Sequence, residues 1–529
     1  MRIGIDVGGT HTDAVLVQGS DILASTKALS SADVLSGILN ALHTILDEAS
    51  VETKHIEAIM IGTTQFTNAV VERRELSKVA AIRIGAPSGK GLPPMIDWPE
   101  DLSAILGNHV YTLQGGFLYD NWPLAELDET EISHTIADIK SRGLLNIAIS
   151  SVFSSMNPEP EISLGKKIKQ AIPEARITYS HKIGRIGLLE RENAAILNTA
   201  LLPFAEKVID AFEGAMSHMG MTCPVFVSQN DGTLMNTQFV KQYPALTFSS
   251  GPTNSLRGAS KLTGIKDAIV VDIGGTTSDI GVLQNGFPRE SSSIVSVGGV
   301  RTNFRMPDIN PIGLGGGSIV SNNGNTIGPV SVGHNLVTQA LIFGGDTLTS
   351  SDIIVAAGKA QMGNKEAVTD IPRDTIKQAL ATMQSMLDDG VDAMKLSSGP
   401  VPVILVGGGS ILVTGELNSA SEIIRPKHAE VANAIGASIA QISGESDMMV
   451  SYQTTPREDA IEMVTQQASN IAVAAGAAPK SICVVELEET AIPYMENAST
   501  RIRVKVVGDV AALSSQTKSK HSQGAHDAN

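Results

Sequence analysis

Positive charge, cysteine, aromatic side chains and long apolar runs are all scarce in this chain of 529 residues. Lys and Arg number 39 against 55 Asp and Glu, a net charge of −16, which argues against nucleic acid or an anionic membrane as the main partner. Cys223 and Cys483 are the two cysteines, too few for a disulfide framework or a cysteine zinc cluster. No apolar run reaches bilayer-spanning length, and no leader-like segment precedes the first apolar run, so the expected compartment is the cytoplasm. Aromatics make up 4% of the residues, whereas glycine occurs 50 times, which predicts many tight loops. With 42% hydrophobic and 18% charged residues, the chain is globular, and its length predicts two lobes plus additions rather than one core.

What is present is one device in two copies. Ile3 to Val17 reads IGIDVGGTHTDAVLV, and Ile269 to Leu283 reads IVVDIGGTTSDIGVL. Asp6 aligns with Asp272 (272 − 6 = 266), Gly8-Gly9-Thr10 with Gly274-Gly275-Thr276, Thr12 with Ser278, and Asp13 with Asp279. Val- and Ile-rich runs flanking a Gly-Gly turn predict β-hairpins. Glycine lets backbone N–H groups approach a ligand, and the threonine hydroxyls of Thr10, Thr12, Thr276 and Thr277 add donors, a combination that suits phosphate. An acid ending the first strand, Asp6 or Asp272, suits a water-ligated Mg²⁺. A lone Gly-Gly-Thr turn is more often just a hairpin; two copies with matched acids favour a nucleotide site pinched between them. Asp13 and Asp279 are candidates for orienting a nucleophile, with closure of the hairpin turn as the preferred reading.

The rest alternates strand and helix, predicting an α/β protein with parallel pairing. A third strand is expected over 21–27, a helix over 32–49 and a strand over 57–61. That strand runs into Gly62-Thr63-Thr64 and a helix to about residue 73. There Thr63 and Thr64 either face an anion or merely cap the helix. Residues 88–106 read as a Pro- and Gly-rich loop. Helices are expected over 129–142, 159–171, from 188 onward, 428–440 and 457–475. Strands are expected over 79–84, 147–150, 224–227, 401–406, 482–487 and 501–507. Residues 228–232 are expected to lead into a helix, and Pro252 is expected at the first position of another. Gly407-Gly408-Gly409 follows a core strand, where either a flat ligand or a tight connection fits. Glu190 to Asn193 open a helix as a charged cluster, read either as a solvated first turn or as groups in an interlobe cleft. The expected division is a first lobe over 1–185, a second over 186–444, a small α/β appendage over 445–510 and a frayed polar tail over 511–529.

Landmarks between the hairpins are more specific. GTTQFTNAVVER, ERENAAILNTALLP, SSGPTNSLRGA, VDIGGTTSDIGVL, PDINPIGLGGGSI, IGPVSVG and LVGGGSIL occur in the order found in the hydantoinase A / 5-oxoprolinase family, which the chain resembles over residues 1 to about 440. That family lies within the actin, sugar kinase and Hsp70 superfamily. The resemblance implies a two-lobed actin-like fold with ribonuclease H-like lobes, and ATP with Mg²⁺ in the cleft. It also implies opening of a hydantoin- or 5-oxoproline-like cyclic amide after phosphorylation of its carbonyl oxygen, commonly alongside a B-type subunit. Gly8, Gly9, Thr10, Thr12, Gly274, Gly275, Thr276 and Thr277 would then hold phosphates, Asp6 and Asp272 would order Mg²⁺, and Gly407, Gly408 and Gly409 would border adenine. Thr63, Thr64, Glu192 and Asn193 are the substrate-side candidates. Further copies of the same chain are compatible partners.

The pattern departs from the family at Asp308-Ile309-Asn310-Pro311, where Asn310 replaces a histidine. A neutral amide is a poor transition-metal ligand, so no zinc site is expected, and Asp308 alone is kept as a metal candidate. His334 is expected to be a packed or surface residue. Two other readings stay open: an ATP-using carboxylase subunit or small-molecule kinase, and a nucleotide-binding regulator without turnover.

Overall fold

The computed structural model describes residues 1–8, 11–19, 21–29, 34–118, 121–291, 294–492 and 499–511. Gly9 and Thr10 lie outside the described residues, as does the expected tail beyond residue 511.

Both repeated stretches are antiparallel hairpins, the first near one edge of its sheet and the second in the middle of its own. Arg2–Val7 pairs with His11–Gln18 on one side and runs parallel to Ala58–Thr63 on the other. Ala268–Ile273 pairs with Ser278–Gln284 and runs parallel to Val401–Val406. Period-free runs such as Ile3-Gly4-Ile5 and Ile269-Val270-Val271 suit strands covered on both faces, and these residues are almost wholly buried. The first sheet has nine strands and the second six. A separate four-stranded sheet is parallel throughout, with Ala80–Ala86 and Asn146–Ser151 at its centre.

Two of the expected boundaries are corrected. Val225–Ser228 pairs with Ala58–Thr63, and Phe212 and Met216 of the Leu188–His218 helix pack with Ile3, Ile5 and Leu42. The first lobe therefore does not end at residue 185. Nor is 445–510 an appendage: Gln441–Ser451 runs parallel to Thr233–Asn236, and Ser499–Gly508 and Cys483–Ala491 extend the same sheet to its edge. Ile442, Ile502 and Val504 share a core with Ala58 and Met60. Pairings between strands two hundred residues apart leave no local trace in sequence.

Smaller differences have local causes. The 88–106 stretch includes the Glu100–Leu106 helix, which buries Leu102 and Leu106. Residues 228–232 turn into a strand, Thr233–Asn236, before Asn236 caps the next helix by accepting from the Phe239 N–H at 2.8 Å. The helix around Pro252 starts at Ser250, so the proline sits in its first turn rather than at its first position. His428 adopts a left-handed φ of 64°, and the α-helix there is limited to Ala432–Ile439. Among the described residues no helix is long and apolar enough to cross a membrane.

Two helices cross between the sheets. Ser250–Thr263 follows strands of the first sheet yet packs Leu256 and Ala259 against Val270, Ile404 and Val406 of the second. Ala432–Ile439 follows the second sheet yet packs Ala434, Ile435 and Ala437 against the first. They meet backbone to backbone. A Cβ added at Gly436 would lie 1.8 Å from the Asn254 carbonyl oxygen, and one at Gly258 would lie 1.8 Å from that of Ala432.

Candidate nucleotide site

The hairpins fold alike down to the register. Asp6 stands opposite Asp13, and Asp272 opposite Asp279, so each hairpin carries two facing carboxylates. Each turn closes the same way: the Gly8 N–H donates to the His11 carbonyl at 3.0 Å, and the Gly274 N–H to that of Thr277 at 2.9 Å. The parallel neighbour brings a glycine beside each first acid. Gly62 is level with Asp6, and Gly407 follows Val406, which is level with Asp272. Gly407 has φ +82°, and a Cβ there would lie 2.3 Å from Asp272 Oδ1, so only glycine fits.

The two turns open into one cavity of about 390 Å³. Gly8, Asp13, Asp272, Gly274, Gly275 and the Gly407-Gly408-Gly409 run all line it. Its size is within the range of small-molecule and cofactor pockets. Thr12 is buried behind the first turn, and Thr276 and Thr277 are exposed at the tip of the second; none of the three is in the lining. The second turn is clamped from behind, because the N–H groups of Gly316 and Gly317 donate to the carbonyls of Gly274 and Gly275 at 3.0 and 2.7 Å.

The acids are held by the crossing helices. Asn433, on Ala432–Ile439, donates from Nδ2 to Asp6 Oδ2 and Asp13 Oδ2, both at 3.0 Å. Ser255, on Ser250–Thr263, donates to Asp272 at 2.5 Å. Lys27 Nζ bonds both oxygens of Asp13 at 2.8 Å and reaches the Glu430 carbonyl at 3.2 Å. Burial pushes Asp6 up to about 7, the charges of Asp13 and Asp272 add to this, and the amides of Asn254 and Asn433 oppose it. Burial also raises Asp272. Asp279 is pushed up to about 7 by burial first and the Asp272 charge second. Asp6 Oδ1 is buried without a hydrogen bond of normal geometry, the Asn254 amide standing beside it. Among the described residues no three acids gather closely enough to ligate a metal directly, so buried carboxylates held above their ordinary range fit a divalent cation only through its water shell; glycine turns beside them fit the phosphates it would accompany.

The substrate candidates lie elsewhere. Thr63, Thr64, Glu192 and Asn193 do not line the cavity. Thr63 Oγ1 accepts from the Gln65 N–H at 3.2 Å, and Thr64 Oγ1 donates to the Val7 carbonyl at 3.3 Å. Glu192 is buried against Arg83, whose Nε donates to it at 2.8 Å, and it accepts from Ser150 at 2.6 Å. Asn193 joins Trp98 Nε1 at 2.8 Å to the Arg301 carbonyl at 2.9 Å. Asp308, also a metal candidate, is ion-paired with Arg289 outside the cavity, and Asn310 donates to the Gly390 carbonyl at 3.4 Å. His334, expected to be packed or at the surface, lines the cavity.

Reading by motif missed Lys27, Ser255 and Asn433. Lys27 had a signal, since it pairs across from Asp13 in the neighbouring strand. Asn433 had none, being 420 positions from the aspartate it touches.

Residues 2–172 match the model of the hydantoinase/oxoprolinase N-terminal region, and residues 191–364 match the hydantoinase/oxoprolinase model. The chain belongs to the hydantoinase/oxoprolinase family. It is 25% identical over 418 residues to caprolactamase subunit alpha of Pseudomonas jessenii, covering 72% of this chain and 59% of that one. It is 25% identical over 398 residues to the acetophenone carboxylase gamma subunit of Aromatoleum aromaticum, covering 67% and 53%. The matched part is thus little more than half the length of these relatives. The fold is shared with the ATP-dependent caprolactamase of Pseudomonas jessenii, at TM-score 0.77 and 18% identity over 96% of this chain and 87% of that one. It is also shared with nucleotide-free acetone carboxylase, at TM-score 0.68 and 16% identity over 96% and 88%.

Proposed function

We propose that this chain uses ATP to open a hydantoin- or 5-oxoproline-like cyclic amide, acting as the A-type subunit beside a B-type partner. The observation that carries the reading is that Gly8, Gly274 and Gly275 of the two turns line one cavity together with Asp13 and Asp272. The family supports it, as does the use of ATP by the caprolactamase it resembles in fold.

An amide carbonyl is a poor electrophile, and phosphorylation turns its oxygen into a leaving group. The ring carbonyl oxygen attacks the γ-phosphorus of ATP, and the P–O bond to ADP breaks. Water adds at the activated carbon, the ring nitrogen leaves as an amine, and a second water releases phosphate from the acyl phosphate, leaving a carboxylate. Such transfer needs positioning and charge neutralisation more than covalent help. In this reading Gly8, Gly9, Thr10, Gly274 and Gly275 hold phosphates, with Thr12, Thr276 and Thr277 as hydroxyl donors once the crevice closes. Gly407 to Gly409 border the adenine. Asp6 and Asp272 hold Mg²⁺ through water, which would supply countercharge to the phosphates. Asp13 and Asp279 keep the hairpins in shape.

The test is an ATPase screen against cyclic amides, with the chain alone and with a B-type subunit. Turnover that depends on a hydantoin or oxoproline is expected. A melting temperature that saturating ATP with Mg²⁺ fails to raise would sink the reading. The likeness to acetophenone carboxylase, at the same 25% identity, favours a carboxylase component as second reading, and bicarbonate-dependent turnover would select it.

A further inference from the structure

The nucleotide cavity, as it stands, repels a polyanion. Its lining carries three acids, Asp13, Asp272 and Glu430, and among the described residues Lys27 is its one lysine or arginine. A nucleoside triphosphate carries more negative charge than one divalent cation cancels, and no step of the proposed reaction uses Lys27.

Lys27 belongs to the strand Asp21–Leu29, which pairs with His11–Gln18 and sets Lys27 level with Asp13. Its stem reaches the other half of the molecule. A Cβ added at Gly408 would meet Lys27 Cε at 3.9 Å, and Nζ donates to the Glu430 carbonyl at 3.2 Å. The ammonium thus stands between the first hairpin and the glycine run that follows Val401–Val406 of the second sheet. Its side chain is 31% exposed against 2% for Asp13, so the cation is the more open member of the pair.

Its donors can be redistributed. Nζ bonds Oδ1 and Oδ2 of Asp13, both at 2.8 Å, and Asn433 Nδ2 also bonds Asp13 Oδ2, at 3.0 Å. Oδ2 therefore keeps a donor when Lys27 leaves it. The ammonium can hold Oδ1 and turn one N–H into the cavity without separating the ion pair. A compact charge with three donors on a flexible stem suits a phosphate oxygen.

We infer, on the reading of this cavity as a nucleotide site, that Lys27 binds the phosphate chain. It leaves Asp13 Oδ2 to Asn433 and donates instead to a non-bridging phosphate oxygen. Asp13 is then a positioning residue that aims the ammonium, besides keeping its hairpin in shape.

Calorimetric titration of the full chain with ATP, with inorganic tripolyphosphate, each with Mg²⁺, and with adenosine tests this. Asp13→Asn frees the ammonium from its carboxylate and is expected to tighten ATP and tripolyphosphate about threefold. Adding Lys27→Met to that variant removes the cation without stranding a buried acid, which keeps the protein folded. The double variant is expected to bind ATP and tripolyphosphate about thirtyfold more weakly than Asp13→Asn does, with adenosine unchanged. A purely structural lysine would move all three ligands together, or none. Equal affinities for ATP and tripolyphosphate in the two variants, or a loss that adenosine shares, overturns the inference and leaves the nucleotide site standing. An unsubstituted chain that binds neither ATP nor tripolyphosphate overturns both.

Discussion

The two hairpins are one backbone in two electrostatic settings. In the first, Asp13 is 2% exposed, ion-paired to Lys27 and tied to Asp6 through Asn433. In the second, Asp272 and Asp279 are half-buried, Ser255 supplies one hydroxyl, and neither acid has an ion pair among the described residues. The register is the same in both, and the side chains around it differ. Asp13 is locked in place by Lys27, whereas Asp272 meets the cavity with a single hydroxyl on it.

The largest expected effect separates the pairs directly. Under the proposed reaction, Asp272→Asn lowers ATP turnover about 10³-fold, roughly 4 kcal/mol, while Asp13→Asn lowers it no more than about tenfold. Equal losses would erase the distinction. Next, Lys27→Met strands a buried carboxylate and costs about 3 kcal/mol of stability, most of which returns in the Lys27→Met, Asp13→Asn double variant. Thermal melts of the four proteins give the coupling.

A third test uses pH. Asp6 and Asp279 ionise less readily in the fold than in the unfolded chain, with both pushed up to about 7 from 3.8. The folded state therefore binds more protons between those values, so the stability linked to these groups is full below about 4 and lost as pH rises through about 7. Asp279→Asn should gain melting temperature over the unsubstituted protein from about pH 4 to about pH 8, and Asp6→Asn likewise. A difference that stays flat with pH would show that burial does not oppress these carboxylates. The smallest effect is Ser255→Ala, expected to cost about 1 kcal/mol by removing one hydrogen bond to Asp272.

The hairpins were legible in sequence because everything that defines one, strands, turn and facing acids, sits within seventeen residues. Their meeting in one cavity was legible only through the second copy. The surroundings of Glu192 were not legible, because a charged first helical turn looks the same whether it faces water or Arg83. The lobe boundary failed for a topological reason: Val225–Ser228 and Gln441–Ser451 complete a sheet begun at Arg2, and local patterns do not encode a partner strand so far away.

The glycine contact between Ser250–Thr263 and Ala432–Ile439 has a mechanical consequence. With no side chain separating the two backbones, the halves of the molecule cannot slide past each other without collision, and the relative motion that would leave this contact intact is a pivot about it, as of scissor blades about a rivet. Asn433 and Ser255 ride close to that rivet, on opposite blades. A few degrees of swing would barely move these two acid holders while changing the gap between the Gly8 and Gly274 turns, so jaw width is adjustable without disturbing the grip at its base.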